Sequence, residues 1–271
     1  MSAVIEFTKM TGAGNDFVVF DNRNGVFPVN SALIQRICQR KFSVGADGVL
    51  LLESAGDADF SMRIFNADGS EAEMCGNGAR CLARFACDHG IAGKEMKFCT
   101  AAGFIKAWIS KDDVTLDMGS SSQVEMNITV ELDKTSYIIQ HIVIGVPHVV
   151  VFVKDLQAVD IEDVGRKIRR HRQFQPNGAN VNFVKVEGPN HIAVRTYERG
   201  VEAETFACGT GVSASAVVSS LVYKIGSPVQ ALTLSGDVLS VDFSIGKLGR
   251  AEEIKLTGPA KTVYKGVIEV M

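Results

Sequence analysis

Two cysteines lie at equivalent places in the two halves of this sequence, and a glycine-rich step follows each. Cys75 opens the run Cys75-Gly76-Asn77-Gly78, and Cys208 opens the run Cys208-Gly209-Thr210-Gly211. Each run comes after a predicted strand and turn, and each leads into a segment with helical character. A thiol at a helix N-terminus meets backbone N–H groups and the positive end of the helix dipole, and both lower its pKa. The pattern therefore predicts two thiols suited to acid–base chemistry.

The residues before the two cysteines repeat as well. Arg63-Ile64-Phe65 matches Arg195-Thr196-Tyr197 at an offset of 132 residues, and the cysteines match at an offset of 133. The extra residue falls in the loop between Val201 and Glu204. We expect a duplicated fold packed about a pseudo-twofold axis, which would bring the two helix starts together across a cleft.

Two thiols on opposite sides of one carbon would suit a reaction that inverts a stereocentre. Such a reaction needs a base on one face and an acid on the other, and a thiolate and a thiol supply both. The backbone N–H groups of Gly76, Asn77, Gly209 and Thr210 would bind a carboxylate and stabilise the negative charge of the transition state. An electron-sink cofactor is then not required, and we expect none.

Length and composition limit the other functions. The chain has 271 residues, is 46% hydrophobic, and carries 28 basic against 31 acidic residues. The length suits two lobes of roughly 130 residues each. The balanced charge provides no basic field for nucleic acid. The longest apolar candidate, Ile138 to Val153, is broken by two histidines and a proline, so we expect no membrane span.

Cysteine usage indicates where the protein works. The start of the chain lacks the pattern of a secretory signal, so we expect reduced thiols in the cytoplasm rather than disulfides. No cysteine pair has the close spacing of a zinc site, so we expect no metal. The other four cysteines, which are Cys38, Cys81, Cys87 and Cys99, are interpreted as small hydrophobic residues.

Hydrophobic periodicity predicts an α+β fold with many short strands around one central helix in each lobe, and the internal repeat predicts that the two lobes are pseudo-symmetric. Predicted helices cover Ser31 to Arg40, the segment from Cys75 to Gly90, Ile161 to Arg170, and the segment after Cys208. Because that last segment has no strongly polar face, it must be wrapped on all sides. A single strand is predicted over Phe98 to Ile109.

Polar turns separate the predicted strands. The glycines in Gly12-Ala13-Gly14-Asn15-Asp16 precede a strand rather than a helix, which argues against a dinucleotide site and for a hairpin that places Asn15 near a ligand. The turn at Asn177 to Asn180 is interpreted as its counterpart in the second half. The small polar run from Gly119 to Gln123 marks the boundary between lobes, at residues 1–118 and 119–262.

The ordered motifs resemble those of the diaminopimelate epimerase family along nearly the whole chain. They are Gly12 to Phe17, Asn66-Ala67-Asp68-Gly69, Cys75 to Gly78, Pro147-His148, Asn180, Glu198-Arg199-Gly200 with Cys208 to Gly211, and Leu256 to Ala260. The resemblance implies a cofactor-independent isomerase that interconverts LL- and meso-diaminopimelate on the route to lysine and peptidoglycan. It also implies a homodimer, closure of the lobes over substrate, and a mixed barrel-like sheet around the central helix of each lobe, with residues 263–271 returning to the first lobe.

The resemblance also implies roles for single residues. Cys75 and Cys208 would be the catalytic acid–base pair. The substrate-binding residues would be Asn15, Asn66, Gly76, Asn77, Asn180, Glu198, Arg199, Gly209 and Thr210. Among these, Arg199 would pair with the distal carboxylate of the substrate. His148 and Glu198 would help to set the pKa of the thiols.

The chain departs from the family pattern at three places. Val146 stands where members often carry asparagine, and Gly48 stands where some carry glutamine, so each position lacks one amide contact. The loop before Cys208 is one residue longer than its commonest form. These departures leave the two thiols in place and concern recognition of the distal end of the substrate.

Other interpretations stay open at this stage. Asn15, Asn66 and Asn180 are also ordinary turn residues, and a racemase of proline or hydroxyproline or a phenazine-pathway isomerase would share the fold. The pair Glu198 and Arg199 argues against a cyclic substrate, which has no second amino-acid end. A redox protein that uses the two cysteines as a switch is an alternative of another class. A zinc or pyridoxal enzyme lacks clustered ligands or a lysine motif.

Overall fold

β-Strands make up most of the regular secondary structure of this protein. The computed structural model describes residues 3–133 and 135–270. The chain divides into two compact units: Met1–Leu116 with Gly258–Met271 form unit 1, and Asp117–Thr257 form unit 2. The boundaries proposed from the sequence, after residues 118 and 262, lie slightly further along the chain. None of the helices formed by the described residues combines the length and hydrophobicity needed to span a bilayer.

Unit 1 begins with eight strands and two helices among its described residues. The strands are β1 (Ala3–Gly12), β2 (Asn15–Asp21), β3 (Gly48–Glu53), β4 (Phe60–Asn66), β5 (Glu71–Ala72), β6 (Glu95–Thr100), β7 (Gly103–Ile109) and β8 (Asp113–Gly119). The helices are α1 (Ser31–Cys38) and α2 (Gly76–Asp88).

Unit 2 has nine strands and two helices in the part of it that the structure describes. The strands are β9 (Glu125–Leu132), β10 (Thr135–Ile144), β11 (Val146–Phe152), β12 (Asn180–Gly188), β13 (His191–Glu198), β14 (Ala203–Thr205), β15 (Val229–Leu232), β16 (Val238–Ile245) and β17 (Ala251–Pro259). The helices are α3 (Ile161–Arg169) and α4 (Gly209–Tyr223), and single 3₁₀ turns cover Arg172–Phe174 and Lys247–Gly249. A final strand, β18 (Lys261–Val270), belongs to unit 1.

The two units pair their strands in the same order. In unit 1 the neighbours run β18, β1, β2, β3, β4, β6, β7 and β8, with β5 on β4. In unit 2 they run β9, β10, β11, β12, β13, β15, β16 and β17, with β14 on β13. The parallel pairs are β2–β3 and β4–β6 in unit 1 and β11–β12 and β13–β15 in unit 2. The mixed α+β fold with an internal repeat is confirmed.

One helix is enclosed by the sheet of each unit. Helix α2 packs against β1, β2, β3, β4, β7 and β18, and α4 packs against β10, β11, β12, β13, β15 and β16. In α4 every residue from Gly211 to Ser219 is buried. Its serine hydroxyls are satisfied locally, since Ser213 and Ser215 donate to carbonyls four residues back at 3.0 and 2.7 Å. The prediction that this helix is wrapped on all sides is confirmed.

The second helix of each unit covers the outer face of a central strand. In β3, Val49 and Leu51 share a core cluster with Leu33 and Ile34 of α1, while Leu50 lies on the other face. A strand covered on both faces is a continuous apolar run, which is why Val49 to Leu52 contains no polar residue. Strand β12 repeats the arrangement, with Val181 and Phe183 in the same cluster as α3.

Two sequence predictions about local structure are wrong. The segment predicted as one strand over Phe98 to Ile109 is a hairpin, because the chain turns at Ala101 and Ala102 and Gly103 adopts a φ of +121°. The turn Asn177 to Asn180 is not the counterpart of Gly12 to Asp16. It precedes β12, as Gly45 to Gly48 precedes β3, whereas the β1–β2 turn corresponds to Gly145 between β10 and β11.

Candidate active site

The helices that carry the two cysteines start differently from the other two. Asn30 and Asp160 cap α1 and α3 by accepting hydrogen bonds from the backbone three residues on, at 2.8 and 3.0 Å. The N-caps of α2 and α4 are Cys75 and Cys208, both in extended backbone, and neither makes a side-chain capping hydrogen bond. Both thiols therefore stand at the N-cap positions of their helices, next to the N–H groups of the first turn, as the sequence predicts.

Apolar side chains lie beneath the first turn of α2. A Cβ atom on Gly78 would be 3.1 Å from Cδ2 of Leu50 and 3.3 Å from Cδ1 of Ile64. Leu50 and Ile64 face each other across the β3–β4 pair and are almost completely buried. Cys75 itself is half-buried. The glycine lets the helix approach this surface closely.

A chain of side-chain hydrogen bonds runs sideways from α2 through two of the predicted site residues. Asn77 donates to Oδ1 of Asn15 at 2.6 Å, and Asn15 donates to Asp47 at 3.1 Å. Arg80 donates to Oδ1 of Asn77 at 2.8 Å. The structure therefore brings Asn15 and Asn77 together at the start of α2 and fixes the direction of both amides.

Charged groups anchor the far end of this hydrogen-bond chain. Arg40 donates to Asp47 at 2.9 Å and to Asp16 at 2.6 and 3.1 Å, and Lys9 pairs with Asp16 at 2.7 Å. Burial opposes ionisation of Asp16, but the hydrogen bonds and charges of Arg40 and Lys9 outweigh it and lower its pKa to about 2. Sequence reasoning missed Asp47 and Asp16 as supports of Asn15. The signal was the turn Gly45 to Gly48, which carries one acid between glycines.

Asn66 lies in an exposed turn. Its amide donates to Oγ of Ser70 at 3.0 Å, and its backbone N–H donates to the Ser70 carbonyl at 2.8 Å. In the structure Asn66 is thus a turn-stabilising asparagine, and its predicted contact with substrate stays a prediction.

Polar side chains lie beneath the first turn of α4, in contrast to α2. Cys208 is 7% exposed, and its Sγ is 3.5 Å from Oγ1 of Thr210. A Cβ atom on Gly211 would be 2.3 Å from Oδ1 of Asn182 and 3.3 Å from Cβ of Cys208. Only glycine at this position allows the Asn182 amide to lie against the helix start.

Three buried polar residues, which we call the Asn182 cluster, are His148, Asn182 and Thr196. Asn182 donates to the Val149 carbonyl at 3.0 Å and lies 3.3 Å from Nδ1 of His148. Thr196 donates to Oδ1 of Asn182 at 3.0 Å. The sequence motifs indicate His148 but do not mark Asn182 or Thr196. The available signal was asparagine at alternate positions of the apolar strand that begins at Asn180.

The imidazole of His148 is neutral. Burial, with smaller contributions from the charges of Arg199 and His141, lowers its pKa to about 3. A neutral imidazole carries one donor and one acceptor nitrogen, so its hydrogen bonds decide what it offers to a ligand.

The remaining predicted residues of unit 2 lie around the β13 turn. Asn180 accepts a hydrogen bond from the backbone N–H of Arg199 at 2.7 Å, and Nη1 of Arg199 is 3.4 Å from the Asn177 carbonyl. Burial raises the pKa of Glu198, and a 2.9 Å hydrogen bond from Thr205 partly offsets this effect. The structure thus brings Asn180, Glu198 and Arg199 together.

The other cysteines differ from Cys75 and Cys208. Cys38 and Cys81 are buried, and burial raises their pKa values to about 11 and about 12. The interpretation of Cys38 and Cys81 as small hydrophobic residues is confirmed. Cys87 and Cys99 are only half-buried, so for them the same interpretation stays a prediction. Among the described residues, no group of three or more histidines, cysteines or acids could hold a metal ion.

Known proteins share this fold over nearly the full chain. A phenazine biosynthesis protein of the PhzF family from Bacillus anthracis superposes with a TM-score of 0.74 at 16% identity, covering 99% of both chains. A hydroxyproline epimerase from Agrobacterium vitis superposes with a TM-score of 0.72 at 17% identity, covering 98% of this chain and 93% of the other. At these identities the likeness shows the fold alone.

Sequence similarity identifies the family. The sequence model described as diaminopimelate epimerase matches residues 7–124 and 141–263. The protein named diaminopimelate epimerase from Aquifex aeolicus is 43% identical over 97% of each chain. The one from Archaeoglobus fulgidus is 39% identical over 98% of this chain and 97% of its own length. With two cysteines at equivalent helix starts and this similarity throughout, the chain belongs to the diaminopimelate epimerase family.

Proposed function

We propose that this protein interconverts LL- and meso-diaminopimelate by moving the α-proton between Cys75 and Cys208, without a cofactor. The observation that carries the proposal is the duplicated helix start, in which each unit places a cysteine at the N-cap of its enclosed helix. Membership of the family and the names of its relatives supply the substrate.

The proposed reaction moves one proton on and one proton off the same carbon. The thiolate of one cysteine removes the α-proton and becomes a thiol. The thiol of the other cysteine donates its proton to the opposite face and becomes a thiolate, so the carbon is inverted and the charge is conserved. The N–H groups of Gly76, Asn77, Gly209 and Thr210 would hold the α-carboxylate and stabilise the carbanion-like transition state.

Recognition of the distal end is assigned to the turn after β13. Asn180 fixes the backbone of Arg199, while the Arg199 guanidinium forms no ion pair among the described residues. A guanidinium without an acidic partner is suited to a carboxylate of the ligand. We assign Glu198 to the distal ammonium group, and Asn15 and Asn66 to further polar contacts with the substrate.

We also infer that the enzyme works in the cytoplasm as a homodimer. Two thiols that exchange protons must stay reduced, and the cytoplasm keeps thiols reduced. The dimer follows from the family resemblance, and sedimentation equilibrium of the purified protein tests it.

Proton exchange in heavy water tests the reaction. With LL-diaminopimelate, a reductant and no added cofactor, we expect deuterium at the α-carbon and formation of the meso isomer. Cys75→Ala and Cys208→Ala should each lower kcat by about 10³-fold or more, since each removes one of two proton-transfer groups. Cys87→Ala, on the same helix as Cys75, is the control and should keep wild-type turnover. Wild-type turnover by either catalytic variant would contradict the two-thiol scheme.

Substitution of Arg199 tests the distal contact separately. Arg199→Ala should reduce kcat/KM for diaminopimelate by about 10²-fold or more, because it removes a charge-assisted pair with the carboxylate. An analogue that lacks the distal carboxylate should lose far less. Equal losses with both substrates would remove this role from Arg199 and leave the thiol chemistry intact.

A further inference from the structure

The orientation of the Asn182 amide is fixed by its neighbours. The Val149 carbonyl is only an acceptor, so the group 3.0 Å from it must be the NH₂ of Asn182. The Asn182 oxygen then faces Thr196, whose hydroxyl is 3.0 Å away and must donate. Rotating the amide by half a turn would place two acceptors against each other at Val149. The cluster therefore has one consistent hydrogen-bond arrangement.

This orientation decides which nitrogen of His148 carries the proton. The NH₂ of Asn182 lies 3.3 Å from Nδ1 of His148, so Nδ1 must be the acceptor. His148 is completely buried and neutral, with Arg199 and His141 as the charged or titratable groups that act on it. A neutral imidazole whose Nδ1 accepts carries its single proton on Nε2. Nε2 is buried and has no hydrogen-bond partner among the described residues.

The cluster is built into the start of the Cys208 helix. The oxygen of Asn182 lies where a Cβ on Gly211 would be, 2.3 Å from that position, and the same Cβ would be 3.3 Å from Cβ of Cys208. His148 lies opposite Asn180 in the parallel β11–β12 pair, and the side chain of Asn180 accepts a hydrogen bond from the backbone of Arg199. Asn182 thus contacts the thiol helix, and its partner His148 lies opposite the residue that holds the Arg199 turn.

We propose that Asn182 is a positioning residue that holds the proton of His148 on Nε2, so that His148 acts as a neutral hydrogen-bond donor and not as a base. An Nε2–H group would stabilise negative charge on a thiolate or on the substrate, but it has no lone pair with which to take up a proton. The catalytic part of this inference depends on the proposed function. The tautomer itself does not.

Nitrogen NMR of the full-length protein labelled with ¹⁵N-histidine tests the tautomer without substrate. The signals of His148 are identified as those missing from His148→Gln. In the wild type we expect protonated Nε2 and unprotonated Nδ1 at neutral pH. In Asn182→Asp the new carboxylate faces Nδ1 as an acceptor, so the proton should move to Nδ1. Thr196→Ser keeps the hydroxyl donor and, as the matched control, should keep the wild-type tautomer.

Each result supports or overturns the proposal. A wild-type His148 protonated at Nδ1 would overturn it even if no variant folds. An unchanged tautomer in Asn182→Asp would show that Asn182 does not set the proton. In the epimerase assay, Asn182→Asp should lower kcat about tenfold or more with KM changed less than about threefold, because ground-state contacts with substrate are kept. A wild-type kcat with a moved proton would overturn the donor role of His148.

Discussion

The first turns of α2 and α4 occupy equivalent places in the two units, but the surfaces beneath them differ. Leu50 and Ile64 face each other beneath α2, and Asn182 and Thr196 face each other at the same positions beneath α4. Each unit also has polar support for its helix start, but unit 1 places it beside the helix, through Asn77. Duplication has thus kept the backbone and changed the chemistry, so the two thiols are not equivalent partners.

This difference has a consequence for proton transfer. The Cys208 helix lies on a buried hydrogen-bonded cluster, and such a cluster responds to charge more strongly than an apolar surface. The Cys75 helix lies on aliphatic side chains, which give close packing and no electrostatic response. Placing the residue of one surface at the equivalent position of the other separates the contribution of packing from that of the hydrogen-bonded cluster.

Reciprocal substitution should have the largest effect on stability. Leu50→Asn buries an amide among aliphatic side chains, and we expect it to lower the free energy of unfolding by about 3–5 kcal/mol. Asn182→Leu leaves Thr196 and Nδ1 of His148 without their partner and should cost about 1–3 kcal/mol. Denaturation by urea measures both. A larger loss for Asn182→Leu would show that the polar surface is the more tightly packed of the two.

Acid should destabilise unit 2 through His148. Its pKa is about 3 in the folded protein against an ordinary value of 6.5, so the unfolded chain binds a proton first and stability falls as the pH drops from 6.5 toward 3. His148→Gln should flatten this part of the stability curve, by on the order of 3 kcal/mol between pH 7 and pH 4. Phe17, which stands near the equivalent position of unit 1, has no titratable group. Parallel curves for wild type and variant would contradict the burial of a neutral His148.

Gly78 and Gly211 occupy equivalent positions in the two helices, and replacing each with alanine should change stability by an intermediate amount. Gly78→Ala would place its Cβ 3.1 Å from the end of Leu50, a flexible side chain, and helix propensity favours alanine by about 1 kcal/mol. We therefore expect a change within about 1 kcal/mol. Gly211→Ala would displace the Asn182 oxygen and cost about 2 kcal/mol, with a fall in kcat. Thermal unfolding and the epimerase assay compare the two variants. Equal losses of stability would contradict the close contact between Asn182 and Gly211.

The smallest effect is expected for an ion pair that is present in both units. Arg63 pairs with Glu71 at 2.7 Å, and Arg195 pairs with Glu204 at 2.6 Å. The second pair is less exposed, and Arg195 also donates to the Leu156 carbonyl at 2.8 Å. Arg195→Met should cost about 1 kcal/mol and Arg63→Met about half of that. Urea titrations at low and high salt measure the losses, and the reverse order would show that burial does not strengthen this pair.

Periodicity and spacing predicted most elements and both helix starts. The helices Ser31–Cys38 and Ile161–Arg169 lie where the sequence predicts them, because apolar residues recur there at helical spacing. The hairpin within Phe98 to Ile109 does not follow from the sequence, because Gly103 stands beside two alanines and a lone glycine in a strand pattern also fits a bulge. The counterpart of the β1–β2 turn was misassigned because strand register, and not similarity of composition, decides which turns are equivalent.

The support of the candidate site was harder to predict than its reacting groups. The cysteines are marked by local sequence, since a helix start and its glycines are contiguous. The partners of Asn182 come from β11 and β13, so they meet only after the sheet has formed. The same holds for Asp47, which reaches Asn15 from a turn 32 residues away. Contacts of this kind depend on tertiary packing and leave no periodic signal.

The pairing of β18 with β1, from Ala3 opposite Val270 to Thr11 opposite Lys261, sets an order of completion during translation. Residues 117–257, which form unit 2, leave the ribosome before β18 does. The edge of β1 that pairs with β18 therefore remains unpaired until β18 has been synthesised. Unit 1 therefore obtains β18 only after all of unit 2 has been synthesised, whereas domains generally fold as units from the N-terminal side.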